Sequence, residues 1–280
     1  MIKEIQENAA DQPGGESLNS INSQAPTRCI ARGLSLLLVA SSILISGVAG
    51  LGAANDATES RTVADSLAKM LQSARAVISK HQEDINDPKR GDKGLTAAVV
   101  LAEADANYKA ATGIDPASYD PATRQGRMLK AQRDAIVEVI NDNQAIINRE
   151  GLGFKGFIPA TFARLVNEAF ARKVEGGATI KVTAPPELVR NRKARPDEWE
   201  VDVIKTRFLK PDWKAGTPYA ETVEVKGKPA FRMMVPEYYA ASCLSCHGTP
   251  KGTLDVTGYP REGAAEHDLG GVISVILPNE

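Results

Sequence analysis

Ala220-Glu221-Thr222-Val223-Glu224-Val225-Lys226-Gly227-Lys228-Pro229-Ala230-Phe231-Arg232-Met233-Met234-Val235 decides how this chain is read. Apolar residues alternate on either side of a turn-forming centre. This reads as two strands, 220–225 and 230–235, joined by a hairpin turn at 225–229. Met233 and Met234 are neighbours on the second strand, so one of them is expected to face the core. Further alternating stretches lie at 179–183, 200–204 and 272–277.

Upstream of about residue 178 the period is helical. Val63, Leu67, Met70, Leu71, Ala74, Val77 and Ile78 define a helix over 57–86, which stops at Asn86-Asp87-Pro88. Further helices are expected over 96–111, over 122–148 with Leu129, Ala135, Ile136, Val139, Ile140 and Ile146 inward, and over 159–173. Gly151 to Gly156 separates the last two. The expectation is a single α+β domain, a helical N-terminal half packed on a small antiparallel sheet.

Between the last two expected strands stands Cys243-Leu244-Ser245-Cys246-His247, the C-x-x-C-H pattern of a c-type heme attachment site. Two thiols at this spacing reach the two vinyl groups on one porphyrin edge. The adjoining imidazole of His247 then serves as the proximal iron ligand. Gly248 lets the backbone turn away. A zinc ribbon needs a second ligand pair, and the chain offers only Cys29, His81 and His267 besides. A thioredoxin-like dithiol needs a strand and a helix N-terminus in a βαβ unit, which this context does not suggest.

The chain has 280 residues, 42% hydrophobic and 25% charged, with a formal net charge of −1. No polybasic tract accompanies that balance, which argues against nucleic acid as a partner. Three cysteines, two of them in the pentapeptide, exclude a disulfide framework. Residues 33–54 carry no charge and are long enough to cross a bilayer. Arg28 and Arg32 precede them, and Asp56 and Glu59 follow. The positive-inside rule therefore puts the polar leader, 1–32, in the cytoplasm and 57–280 in the periplasm, behind an uncleaved single-pass inner-membrane anchor. The alternative is a cleaved signal segment and a soluble periplasmic domain.

Several other stretches stand out: Gly153-Phe154-Lys155-Gly156-Phe157-Ile158-Pro159-Ala160-Thr161-Phe162, Arg190-Asn191-Arg192, Pro196-Asp197-Glu198-Trp199-Glu200, Phe231-Arg232-Met233-Met234-Val235-Pro236, Gly258-Tyr259-Pro260 and Gly270-Gly271-Val272-Ile273-Ser274-Val275. With the pentapeptide, they make the chain resemble, over about 60–277, the single-heme PAS-like c-type domain of exported bacterial proteins. That domain is known from cyanobacterial heme proteins and from the sensory end of some histidine kinases. The resemblance implies a PAS-like antiparallel sheet flanked by helices, one covalent heme c against the sheet, and a redox or ligand-sensing role. In a relative the second iron ligand is a cysteine from an N-terminal helix. Here the remaining cysteine, Cys29, precedes the apolar segment and cannot take that role.

For the sixth iron position His81 is either the ligand, on the apolar stripe of the first exported helix, or a core histidine satisfied by a carbonyl. His267 reads as a surface residue and Met70 as core. Arg190, Arg192, Arg195, Arg232 and Lys251 are candidate partners for heme propionates. Trp199, Tyr238, Tyr239 and Tyr259 either line the heme edge or pack in the core. No triad, phosphate loop or paired-carboxylate signature is present, and the expectation is non-enzymatic. The sequence thus points to a membrane-anchored redox or heme-based sensor module with a separate membrane partner, or to an electron-transfer cytochrome serving a respiratory or photosynthetic complex. A small heme enzyme with an open distal site is a third reading.

Overall fold

The structure, a computed structural model, describes the backbone of residues 46–279 and the side chains of 56–279. The leader, 1–32, and the greater part of the expected apolar span lie outside the described residues. Its last residues, 46–54, run without a break into the first helix. Among the described residues no helix is long and apolar enough to cross a membrane.

The helices are α1 (Ser46–Lys80), α2 (Gln82–Asn86), α3 (Ala97–Thr112), α4 (Arg124–Asp142), α5 (Gln144–Ile147) and α6 (Pro159–Lys173). The expected helix over 57–86 therefore starts earlier and is interrupted at His81, and that over 122–148 is interrupted at Asn143. Local chemistry sets the other ends. Thr96 and Thr123 cap α3 and α4 by accepting from Val99 N–H and Gly126 N–H. Pro159 opens α6, where its missing N–H costs nothing.

Four antiparallel strands follow: β1 (Thr179–Thr183), β2 (Tyr219–Val225), β3 (Lys228–Tyr238) and β4 (Leu269–Pro278), in the order β1-β4-β3-β2. The expected hairpin joins β2 to β3 with Val225 opposite Lys228. Its two turn residues, Lys226 and Gly227, both have positive φ (53° and 78°), the backbone that matches strand twist in a two-residue turn.

One expected strand is corrected. Residues 200–204 are helical: α7 spans Glu198–Val203 and passes into a π turn, Ile204–Phe208. The reason is a capping box. Asp197 accepts from Glu200 N–H, and the Glu200 side chain accepts from Asp197 N–H. That reciprocal pair satisfies two otherwise orphaned donors and outweighs a short run of alternating hydrophobicity.

This segment also changes the burial of β3. Met233 faces the core as expected, and Met234, on the other face, is buried as well; they are 1% and 0% exposed. Met233 belongs to the main core, which α1, α3, α4 and α6 build with one sheet face. Met234 belongs to a smaller core on the other face, with Val203, Ile204, Phe208 and Val272. Between these layers β3 carries the chain to Tyr238, and the pentapeptide follows.

Candidate functional site

Past β3 the chain makes a 3-10 turn, Ala241–Cys243, and then a single helical turn, α8, Leu244–His247. In a helical turn positions i, i+3 and i+4 share a side, which groups Cys243, Cys246 and His247. Both thiols are free and half-buried. The need for glycine at 248 is local. A Cβ there would lie 2.6 Å from Leu244 O, the carbonyl that accepts from Gly248 N–H.

The imidazole of His247 stacks on Tyr239, with centroids 4.8 Å apart and planes 28° from parallel. Tyr239 can take that position because its ring lies against Gly270, where a Cβ would come within 2.6 Å of the ring. His247 Nδ1 lies 3.3 Å from Tyr239 Oη and 2.9 Å from Glu262 Oε2. Burial, with Glu262 nearby, pushes the Tyr239 phenol up to about 12, so it stays neutral. An ionised carboxylate can only accept, so Nδ1 carries the proton and the lone pair of neutral His247 sits on Nε2. Among the described residues Nε2 has no hydrogen-bond partner.

Arg190 organises the far side. Its Nε and Nη2 donate to the two oxygens of Glu262 at 2.8 and 3.0 Å, and Nη1 donates to Asp255 Oδ2 at 2.6 Å. Nη2 also donates to Cys246 O at 3.0 Å. Burial acts to raise the Glu262 carboxyl, but hydrogen bonds from Arg190 and His247 outweigh it and hold it below its ordinary range. Tyr259 lies under the guanidinium, 5.5 Å from centroid to Cζ, and donates to Arg190 O. Backbone bonds pin the same loop to the motif, from Ala264 N–H to His247 O and from Tyr239 N–H to Asp268 O.

The donor set fits a c-type heme. It offers two reduced thiols one turn apart and an imidazole whose outward nitrogen is available because a carboxylate holds the other. Leu254, Val256 and Tyr259 stay exposed on the adjoining loop, apolar surface of the kind a porphyrin covers. No group of three or more His, Cys, Asp or Glu among the described residues forms a protein-only metal site.

A family model described as Tll0287-like matches residues 54–278. The chain belongs to the Tll0287-like family. This is the single-heme c-type, PAS-like family that the motifs resembled, and the match covers every described strand and nearly all of the described helices. No curated protein and no solved structure matches the chain.

In this Tll0287-like chain the remaining candidates separate. His81, at the break between α1 and α2, has Nε2 3.1 Å from Glu103 Oε1 on α3 and Nδ1 3.6 Å from Asp84 Oδ2 on α2. Neither carboxylate touches the pentapeptide group. Arg232 is committed elsewhere, to Asp197 at 2.7 Å, to Glu200 at 3.4 Å and to the face of Trp199. Arg192, Arg195, Lys251 and His267 are exposed. Met70 is core. Tyr238 accepts from Gly216 N–H. Of the candidate arginines Arg190 alone reaches the motif among the described residues, directly at Cys246 O and through Glu262 at His247. Glu262, Asp255 and Gly270 were not singled out as site residues. A carboxylate fifteen positions beyond the histidine has no spacing signature, because a loop brings it back.

A cavity of about 350 Å³ lies apart from the pentapeptide, lined by Arg61, Asp65, Ser66, Tyr108, Tyr119 and Met233 among others.

Proposed function

We propose that this protein is a membrane-anchored, periplasm-facing monoheme c-type protein acting as a redox or heme-based sensor module. One heme is held covalently through Cys243 and Cys246, with His247 as proximal ligand. Heme, when bound, supplies an iron centre that exchanges one electron between the ferric and ferrous states. The observation that carries this reading is His247 itself: its Nδ1–H donates to Glu262, which leaves Nε2 as the donor atom, beside two free thiols. Tyr239 and Gly270 set the plane of the ring. The exposed apolar residues of the 254–259 loop offer surface that a porphyrin would cover.

Anchoring through 33–54 in the inner membrane, a non-enzymatic role and a separate membrane partner belong to the same proposal. Electron transfer within a respiratory or photosynthetic complex is the second reading; iron closed by two protein ligands fits it and redox sensing alike, and an open iron fits gas sensing. His81 is the residue proposed for the sixth position, and to take it the imidazole must leave Glu103 and Asp84.

The test is the full chain matured with a c-heme assembly system. Cys243→Ala with Cys246→Ala should remove covalent heme; heme retained through denaturation overturns the reading. A low-spin spectrum indifferent to carbon monoxide supports redox sensing or electron transfer. A readily ligated iron supports gas sensing. An unchanged spectrum in His81→Ala removes His81 from the coordination sphere.

A further inference from the structure

The Nδ1–H of His247 does not end on a neutral carbonyl. Its acceptor, 2.9 Å away, is a carboxylate both of whose oxygens are also gripped by Arg190. The carboxylate and the imidazole are 16% and 28% exposed, which limits the water that could weaken the contact. A charged acceptor in such a place polarises an N–H bond more than an amide carbonyl does. Electron density displaced towards Nε2 makes the imidazole a stronger donor to iron, and stronger donation favours the ferric over the ferrous state.

We propose that Glu262 is a positioning residue for the heme: anchored by Arg190, it fixes the His247 ring through Nδ1–H and holds the iron at a more negative reduction potential than a neutral partner would. This rests on the chain being a c-type heme protein. The geometry supports both halves of the role. Arg190 reaches Glu262 with two nitrogens, the paired arrangement that fixes orientation as well as charge. The same guanidinium meets Asp255 and Cys246 O, so the acceptor, its anchor and the heme-binding turn move as one body. One guanidinium faces two carboxylates, which leaves the cluster net negative and adds to the preference for ferric iron. Tyr239 Oη, at 3.3 Å, is the longer of the two contacts to Nδ1.

The experiment is a potentiometric titration of the full chain carrying heme, as wild type, Glu262→Gln, Glu262→Asp and Asp255→Asn. Glu262→Gln should keep covalent heme and shift the midpoint to more positive values, and Glu262→Asp should lie between it and the wild type. Asp255→Asn loosens Arg190 without touching His247 and should shift the midpoint less. A Glu262→Gln midpoint equal to the wild type overturns the proposal. So does an Asp255→Asn shift as large as that of Glu262→Gln, which assigns the effect to the loop. Where Glu262→Gln fails to load heme, Glu262→Asp decides, since an unchanged midpoint there overturns the idea as well. Wild-type chain without covalent heme is a different failure, that of the heme reading, and is seen in the absorption spectrum before any titration.

Discussion

At the residue scale, two glycines and one aspartate carry consequences out of proportion to their size. Gly270 gives Tyr239 a flat seat, and an added Cβ would overlap the ring. Gly270→Val should displace Tyr239, cost about 1–3 kcal/mol in denaturant unfolding and lower the fraction of chains that take up heme. Gly248→Ala places a methyl against Leu244 O and should likewise loosen α8, read as slower heme attachment.

Asp255 has a fully covered side chain. Burial works to raise its carboxyl, but donors from Thr257, Arg190 and the Tyr259 backbone outweigh that and hold it well below the usual range. A depressed folded-state value means stability that is fully present above the unfolded value, near 3.9, and is lost as pH falls further towards the folded one. Urea unfolding from pH 6 to pH 2 should therefore show an acid-dependent loss that is smaller in Asp255→Asn. That variant should already be about 1–2 kcal/mol weaker at neutral pH, because a half-buried arginine loses one of its two carboxylate partners.

At the element scale, α7 shows how a few polar atoms redirect a segment. Trp199, Val201 and Val203 are strand-forming residues, and alternation around them favours a strand. Asp197 and Glu200 close the capping box, and Arg232 on β3 ties both carboxylates to the sheet. Asp197→Ala removes the cap and one of the partners of a buried arginine. It should lower the urea midpoint by the equivalent of about 1–2 kcal/mol with an unchanged slope. The box itself is legible as D-x-x-E before an apolar run. The contact with Arg232 is not, since thirty-five residues separate Asp197 from it.

The pentapeptide behaves differently from α7. Its spacing alone singles out the proposed attachment site, because the chemistry demands two thiols and an imidazole within one turn, and Cys243 leads directly into α8, which carries Cys246 and His247. What holds the imidazole was not visible. Glu262, Arg190 and Tyr239 come from three separate segments and meet at His247 only because the 249–268 loop folds back onto β3.

At the scale of the whole molecule, the central strand is enclosed on both sides. Met233 lies in the helical core and Met234 in the smaller core under α7. Met233→Ala and Met234→Ala should each cost about 2–4 kcal/mol, a result that a sheet with one solvated face could not give. Chemical denaturation of the two single variants checks this, and a near-neutral effect of either would mean that its layer does not pack as described.

The helical half, the hairpin and the motif proposed to hold heme are all legible in the sequence, because each is written in local spacing: helical period, turn residues and C-x-x-C-H. That both faces of β3 are covered, that residues 200–204 are helical, and that His247 is held by Glu262 with Arg190 behind it became visible once the chain was folded. Those outcomes depend on groups far apart in the chain that meet through burial and charge, and local spacing carries no record of such meetings.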